Sequence, residues 1–286
     1  MNRLPAITLL TAFATLATTC VSPARAELRG AARAEAFTAI EAASQSAAAP
    51  VVLFDNAHAE TAGNADWTVT GAYSDFADTL RHHGYSVQSH DHGPIDAQSL
   101  TGVAVLVLPE PNHRLAAGEI AAITAFVKAG GGLFAIGDHW GSDRDNDGWD
   151  SPKIFNELTP AMGITFDQNK FNEAPIGAKF AAGPLGTGVK AMGAWGADSL
   201  TLSNGARAEL TYGPKNGSLP FIASNAFGSG RVVAMGDSSP FDDGTGTPGK
   251  HLYPEYNNAS YGMAQFALNA TNWLAGKAQE PADLAQ

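Results

Sequence analysis

The sequence predicts an α/β fold: an open, mostly parallel sheet with helices on both faces and a less regular β-rich insertion. Three observations carry this. Short continuous apolar runs recur, the mark of strands buried on both faces. Segments with apolar residues at helical spacing lie between them. Four of the runs end directly in clusters of acidic, amide, hydroxyl and imidazole side chains, and in open parallel sheets ligands bind at the carboxyl ends of strands.

Val51-Val52-Leu53-Phe54 is the first run, ending in Asp55-Asn56-Ala57-His58-Ala59-Glu60. Tyr73, Phe76 and Leu80, at i, i+3 and i+7, mark a helix that closes at His82-His83-Gly84. A shorter strand follows from Tyr85 to Gln88. Val103 to Leu108 is fully apolar and ends at Pro109-Glu110-Pro111-Asn112-His113. Ile120, Ile123, Phe126 and Val127 share one side of the next helix, which stops at Gly130-Gly131-Gly132. Leu133 to Ile136 is the strand after it. Strand, helix, strand, helix, strand at this spacing is a right-handed parallel unit.

Ser151-Pro152 offers a hydroxyl N-cap followed by proline at the first helical position, for a helix reaching Met162. From Gly163 to Gly217 short strand patterns alternate with glycine and proline turns. Phe221 to Ser224 and Arg231 to Met235 form a hairpin around Gly228-Ser229-Gly230. Met263, Phe266, Ala270 and Trp273 mark the last helix. The expected organisation is a signal segment 1–26, an arm 27–50 with a short helix from Leu28 to Ala43, one α/β domain 51–276 with 163–217 as its irregular part, and a polar tail 277–286.

The bulk composition limits the functional classes. Asn2-Arg3, the apolar stretch from Leu4 to Val21 and Ala24-Arg25-Ala26 follow the order of an export signal, with cleavage expected after Ala26. Periplasmic or extracellular localisation follows as an expectation. Cys20 also permits a lipoprotein reading, although Ala17-Thr18-Thr19 is a poor lipidation box. It is the only cysteine, so the mature chain has no disulfide, thiolate ligand or cysteine nucleophile. Net charge is −11, and −13 without Arg3 and Arg25, which argues against direct nucleic-acid binding. No later stretch is long or apolar enough to cross a membrane.

The densest chemistry lies from Asp138 to Asp150, where five aspartates and a histidine fall within thirteen residues. Such crowding is costly unless a cation sits among the carboxylates. Asp143-x-Asp145-x-Asp147-Gly148 matches the first half of a calcium loop, but its twelfth position is Ile154, so this is no EF-hand. Asp143, Asp145, Asp147 and Asp150 are the candidate metal ligands, with Ca²⁺ favoured and Mg²⁺, Mn²⁺ or Zn²⁺ open if a histidine joins them. An acidic, solvated loop with helix-capping aspartates is the alternative.

At the strand ends, Asp138, His139, Asp55, His58 and Glu110 are the candidate catalytic residues, with His139 a general base or ligand. Asn56, Glu60, Trp67, Asn112, Asp237, Ser238 and Ser239 are the candidate substrate contacts, with Asp242 and Asp243 in the same last cluster. Thr61 to Trp67 is expected to form a lid with Trp67 as its platform, or else Trp67 belongs to the core. His58-Ala59-Glu60 has the H-x-E spacing of zinc deaminases, whose cysteine ligands are absent here. Gly236-Asp237-Ser238 lacks the G-x-S-x-G elbow of a serine nucleophile.

Val51-Val52-Leu53-Phe54-Asp55, Val105-Leu106-Val107-Leu108-Pro109-Glu110, Gly130-Gly131-Gly132-Leu133-Phe134 and Gly230-Arg231-Val232-Val233-Ala234-Met235-Gly236-Asp237, in this order, resemble the class I glutamine amidotransferase-like superfamily. Within it the chain looks closest to secreted and periplasmic relatives of ThuA-like and GldG/IFT-type domains. The stretches Ser142 to Pro152 and Gly236 to Ser239 are similar to those of a secreted bacterial family. The resemblance implies a flavodoxin- or amidotransferase-like fold with the nucleophilic cysteine in the turn after the fourth strand. That turn here is Gly137-Asp138-His139-Trp140-Gly141, so glutaminase chemistry is removed.

The leading expectation is an exported, metal-dependent hydrolase of a glycan or phosphoester, with its site at the carboxyl ends of the parallel strands. A calcium-stabilised carbohydrate- or envelope-binding domain is the alternative, and an accessory domain of an envelope complex a third.

Overall fold

A computed structural model describes residues 48–177, 180–212, 219–248 and 255–277. The signal segment with Cys20, the Leu28 to Ala43 helix and the tail after Lys277 lie outside the described residues. The apolar runs become strands β1 (Val51–Asp55), β3 (Val103–Pro109) and β4 (Gly132–Ile136), and the shorter strand expected at Tyr85 to Gln88 becomes β2 (Ser86–His90). Helix α1 (Ser74–His82) lies between β1 and β2, and α2 (Ala117–Lys128) between β3 and β4. After α3 (Ser151–Leu158) come the strands β5 (Ile164–Phe166), β6 (Phe171–Gly177), β7 (Ala191–Ala197), β8 (Leu200–Leu202) and β9 (Arg207–Tyr212). The hairpin β10 (Leu219–Phe227) and β11 (Gly230–Met235) precedes the last helix, α4 (Met263–Leu274).

Seven strands form one sheet in the order β2-β1-β3-β4-β11-β10-β9. The first five run parallel, while β10 is antiparallel to both its neighbours. Residues alternate between two cores, as strand geometry requires. Phe134 and Ile136 of β4 pack on one face with Phe76 of α1 and Phe266 of α4. Leu133 and Ala135 pack on the other with Ile123 of α2 and Phe155 of α3. Helices therefore cover both faces, which explains why the central strands are apolar at every position rather than at alternate ones. No helix among the described residues is long and apolar enough to cross a membrane.

The chain leaves β1 toward β2 on one side and returns past it to β3 on the other, so the direction of winding reverses between β1 and β3. In doubly wound sheets this is where a crevice opens at the carboxyl ends. Here the following segments pair across it: Glu60 N–H donates to Glu110 O (2.9 Å) and Asn112 N–H to His58 O (2.8 Å). The irregular region forms two antiparallel pairs, β5 with β8 and β6 with β7. It packs close against the ends of the central strands. A Cβ on Gly137 would lie 2.5 Å from the Phe166 ring, and one on Gly236 1.9 Å from Asp198 O.

One helix start differs from expectation. Asp150, not Ser151, caps α3, accepting from Lys153 N–H at 3.0 Å. Ser151 becomes the first helical residue, and its hydroxyl instead accepts from Asp138 N–H (2.9 Å). The helix also ends at Leu158, with Thr159–Met162 tightening into a 3₁₀ turn before the left-handed Gly163. Helix α1 has no side-chain cap of its own. Asp243, in the loop after β11, accepts from Asp75 N–H and Ser74 Oγ–H, each at 2.8 Å.

Phe76 is the hub of the α1 side of the core, with ring centroids 5.1 Å from Phe54, 5.0 Å from Phe241 and 6.2 Å from Phe134. It joins β1, β4, α1 and the loop after β11. Phe76→Ala is expected to lower unfolding free energy by about 3–5 kcal/mol, because cavity formation adds to lost transfer energy. Urea unfolding checks this, and a loss under about 1 kcal/mol would mean that the four elements do not depend on this ring.

Candidate functional site

Glu110 follows directly on β3 and is 1% exposed. Its φ of 43° lies in the left-handed region, where a non-glycine residue costs about 1–3 kcal/mol and persists only when its surroundings fix it. Those surroundings are explicit. Its N–H donates to Ile136 O at 2.7 Å, and its carboxylate accepts from Trp67 Nε1, Ser238 Oγ and Arg144 Nη1. Three loops, after β1, β4 and β11, thus converge on one side chain. Trp67 is fully buried, so it is both a core residue and a donor at this site.

Asp138, 2% exposed, stands at the end of the neighbouring strand β4. One carboxylate oxygen accepts from its neighbour's backbone, His139 N–H (2.8 Å), and the other from Arg144 Nη2 (3.0 Å). Burial pushes this carboxyl well above the usual range. The charges of Glu110 and Asp237 add to the effect, Arg144 opposes it, and a hydrogen bond shared with Glu110 reinforces it. Glu60 is pushed up to about 7, chiefly by burial, with Ala62 N–H and Arg144 opposing and Glu110 and Asp145 adding. Asp237 also rises to about 7 through burial, against the donors Trp195 N–H (2.6 Å) and Ser239 N–H (2.9 Å).

Arg144 is the cation of this cluster. Its side chain is 15% exposed and pairs with Glu110 and Asp138, with Glu60 Oε2 at 3.7 Å. Burial opposes its charge, and Glu110 and Asp138 outweigh that. Glu60 Oε1 accepts from Ala62 N–H (2.6 Å), while Oε2 has no hydrogen-bond partner although it is buried. An ion-pair distance of 3.7 Å is too long for a hydrogen bond, so the two facts agree.

The other candidates lie around this cluster. His58 has both ring nitrogens engaged, Nδ1 with Asp55 Oδ2 (2.8 Å) and Nε2 with Glu119 Oε1 (3.2 Å). This buried Asp–His–Glu chain ties the loop after β1 to the first turn of α2, where Glu119 also accepts from Ala116 N–H and Ile95 N–H. Asn56 pairs with Asp91 and accepts from Val69 N–H. Asn112 is 2% exposed with neither amide atom partnered. Ser239 gives its N–H to Asp237, and Gly244 N–H donates to Asp242 Oδ1. His139 Nδ1 must carry the proton it donates to Trp140 O (2.7 Å), which leaves Nε2 facing Lys170 Nζ at 3.2 Å. Burial and the Lys170 charge lower its pKa against the pull of the Trp140 carbonyl and Glu110.

The aspartates of the acidic loop largely serve the loop itself. Asp143 accepts from Asp147 N–H and Gly148 N–H, Asp147 from Trp149 N–H, and Asp150 from Gly141 N–H as well as capping α3. His113, Asp145 and Asp147 bring one ligand atom each within 4.8 Å of one another, all exposed. Asp143 and Asp150 are not in this group. An open groove lies between α2 and α3, lined by Arg114, Leu115, Ile120 and Glu157 and by none of the strand-end carboxylates.

Sequence reasoning passed over Arg144 and Glu119. The signal for Arg144 was present: one basic residue flanked by aspartates on both sides. Glu119 gave the weaker signal of a carboxylate at the third position of a helix.

Residues 71–249 match the family described as a domain of unknown function, DUF4350. The chain belongs to the DUF4350 family. No curated protein matches it. Among solved structures, the mmIFT52 N-terminal domain aligns with a TM-score of 0.60 and 17% identity over 78% of this chain and 97% of that one. A cytoplasmic protein from Salmonella typhimurium gives 0.52 and 14% over 79% and 98%. A putative ThuA-like protein from Bacteroides uniformis gives 0.48 and 16% over 80% and 93%. At these identities the likeness is one of fold, and ThuA-like proteins stand among the structural neighbours of this DUF4350 chain.

The His58 chain makes a pH-dependent prediction. Burial lowers the imidazole pKa, but Asp55 and Glu119 outweigh it, so the folded value stands above the ordinary 6.5. The pair therefore stabilises fully below the unfolded pKa, and this contribution is lost as pH rises through the folded one. His58→Gln should lower the melting temperature more at about pH 5.5 than at about pH 8.5. An equal deficit at both would mean that the buried ring is neutral.

Proposed function

We propose that this chain is an exported hydrolase of the class I glutamine amidotransferase-like type in which a carboxyl pair, Glu110 and Asp138, takes the place of cysteine chemistry. The single observation that carries the reading is the meeting of strained Glu110 and buried Asp138 on one guanidinium, at the carboxyl ends of adjacent parallel strands. Perturbed titratable groups and strained backbone gather at functional sites. Two carboxyl groups whose surroundings differ divide into an acid and a base.

In this mechanism Asp138, held protonated by burial, is the general acid and gives its proton to the leaving group. Glu110, which accepts from Trp67 and Ser238, takes the proton of the attacking water. Those two donors fix the carboxylate plane. Glu60 and Asp237 make the site strongly acidic, which disfavours a phosphoester and favours a neutral glycosidic or ester bond. The reading also assigns a divalent cation to His113, Asp145 and Asp147. Their convergence supports it, and the mixed nitrogen and oxygen set suits Mn²⁺ or Zn²⁺ better than Ca²⁺.

Glu110→Gln is the decisive variant. On a panel of p-nitrophenyl glycosides and esters, with p-nitrophenyl phosphate as control, it should cut turnover by about 10²–10⁴-fold with the fold intact by circular dichroism. No turnover by the wild-type protein on any member, with or without added Mn²⁺, Zn²⁺, Ca²⁺ or Mg²⁺, overturns the hydrolase reading. Binding of a panel glycan without turnover would turn it into a binding domain. Separately, EDTA should lower the melting temperature, and an unchanged value removes the cation while leaving the acid–base pair untouched.

A further inference from the structure

We propose that the strand-end carboxylate cluster is a recognition site for an organic cation, a guanidinium or alkylammonium group on the ligand, and that Arg144 is its resident occupant supplied by the chain itself. This rests on the proposed function only for the location of the site.

Charge is the first argument. Glu60, Glu110, Asp138 and Asp237 are each at most 2% exposed, and among the described residues Arg144 is the cation paired with the first three. One guanidinium cannot hold four buried acids ionised, so burial raises Glu60, Asp138 and Asp237 toward their protonated forms, and a second cation would let them ionise. The shortage appears in a specific atom. Glu60 Oε2 is buried without a hydrogen-bond partner and faces the guanidinium from 3.7 Å, too far to bond it. A buried, unpartnered carboxylate oxygen is an acceptor awaiting a donor.

Shape is the second. Arg144 binds as a fork, Nη1 to Glu110 Oε1 and Nη2 to Asp138 Oδ2, which suits a flat, multi-donor cation. A spherical ion has a better place elsewhere, since the ligand atoms that converge within 4.8 Å among the described residues are those of His113, Asp145 and Asp147.

The third is that Arg144 can leave without dismantling its loop. The segment is bounded by Gly141 (φ 81°) and Gly148 (φ 96°), and nothing lies within 4 Å of where either would carry a Cβ. Between them the loop holds its form through Asp143, Asp145 and Asp147 and its own backbone amides. Arg144 is thus a tethered ligand on a self-supporting arm. A tether of this kind is an intramolecular competitor, so its removal should strengthen the binding of an external cation.

Agmatine, which carries a guanidinium and an amine, is the probe, titrated by calorimetry into the full chain. Wild type should bind it saturably in the millimolar range, and R144A at least about tenfold more tightly. Adding E60Q to R144A should weaken binding by about tenfold, because the unpartnered oxygen is removed. Absence of saturable binding to wild type overturns the proposal, as does equal affinity of wild type and R144A or indifference to E60Q. If R144A does not fold, R144K replaces it: losing the fork should still make agmatine bind more tightly than to wild type, and equal affinity overturns the proposal. Hydrolysis of the neutral panel is followed on the same samples. Agmatine binding without turnover leaves this inference standing and removes the acid–base reading, whereas turnover without agmatine binding does the reverse.

Discussion

One guanidinium makes the strand-end architecture electrostatically possible. Four parallel strands deliver carboxyl groups to the same end of the sheet, where burial already raises Glu60, Asp138 and Asp237 toward protonation and would do so further without a cation. Arg144 lies across two of them and faces a third, so the loops after β1, β3, β4 and β11 can close over a common centre. Glu110 sits in a left-handed conformation because that is the backbone geometry from which one carboxylate can meet donors from three loops. Strain in the main chain and hydrogen bonds in the side chain are two sides of one arrangement.

A second chain, Asp55–His58–Glu119, lies next to this centre and serves a different purpose. It is a buried imidazole with a carboxylate on each side, linking a strand end to a helix start. Its neighbours in sequence make it look like catalytic equipment, yet both nitrogens are used within the fold. Asp243 and Asp150 tell a similar story, as carboxylates that complete helix N-termini. Much of the acidic surplus of the sequence is thus consumed by backbone amides, which any short carboxylate side chain satisfies well.

The sheet was legible because strands covered on both faces leave unbroken apolar runs, and the polar residues after each run marked where the buried carboxyl groups gather. Partnership was not legible. Arg144 among aspartates has the composition of a solvated loop, and its three acidic neighbours lie 6, 34 and 84 positions away (Asp138, Glu110, Glu60 in turn). The last separation crosses three strands and two helices. Asp150 and Ser151 are both good caps, and the choice between them was made by the Asp138 amide, which needed the serine hydroxyl. Between Gly163 and Gly217, β5 pairs with β8 and β6 with β7 while β9 joins the edge of the main sheet, and no long apolar run announced any of them.

The place of β11 has a consequence for how the polypeptide reaches this state. It lies at the heart of the sheet beside β4, yet among the described strands it comes last in the sequence. A ribosome must therefore release more than two hundred residues before the middle of the sheet exists, and until then β4 presents an open edge. Closing it joins segments about a hundred positions apart, the kind of contact that slows folding because chain entropy is lost before pairing rewards it. Assembly of the carboxylate centre, which needs Ser238 just beyond β11, coincides with that final insertion. On this order of synthesis, the carboxylate centre and the last strand of the sheet are completed together.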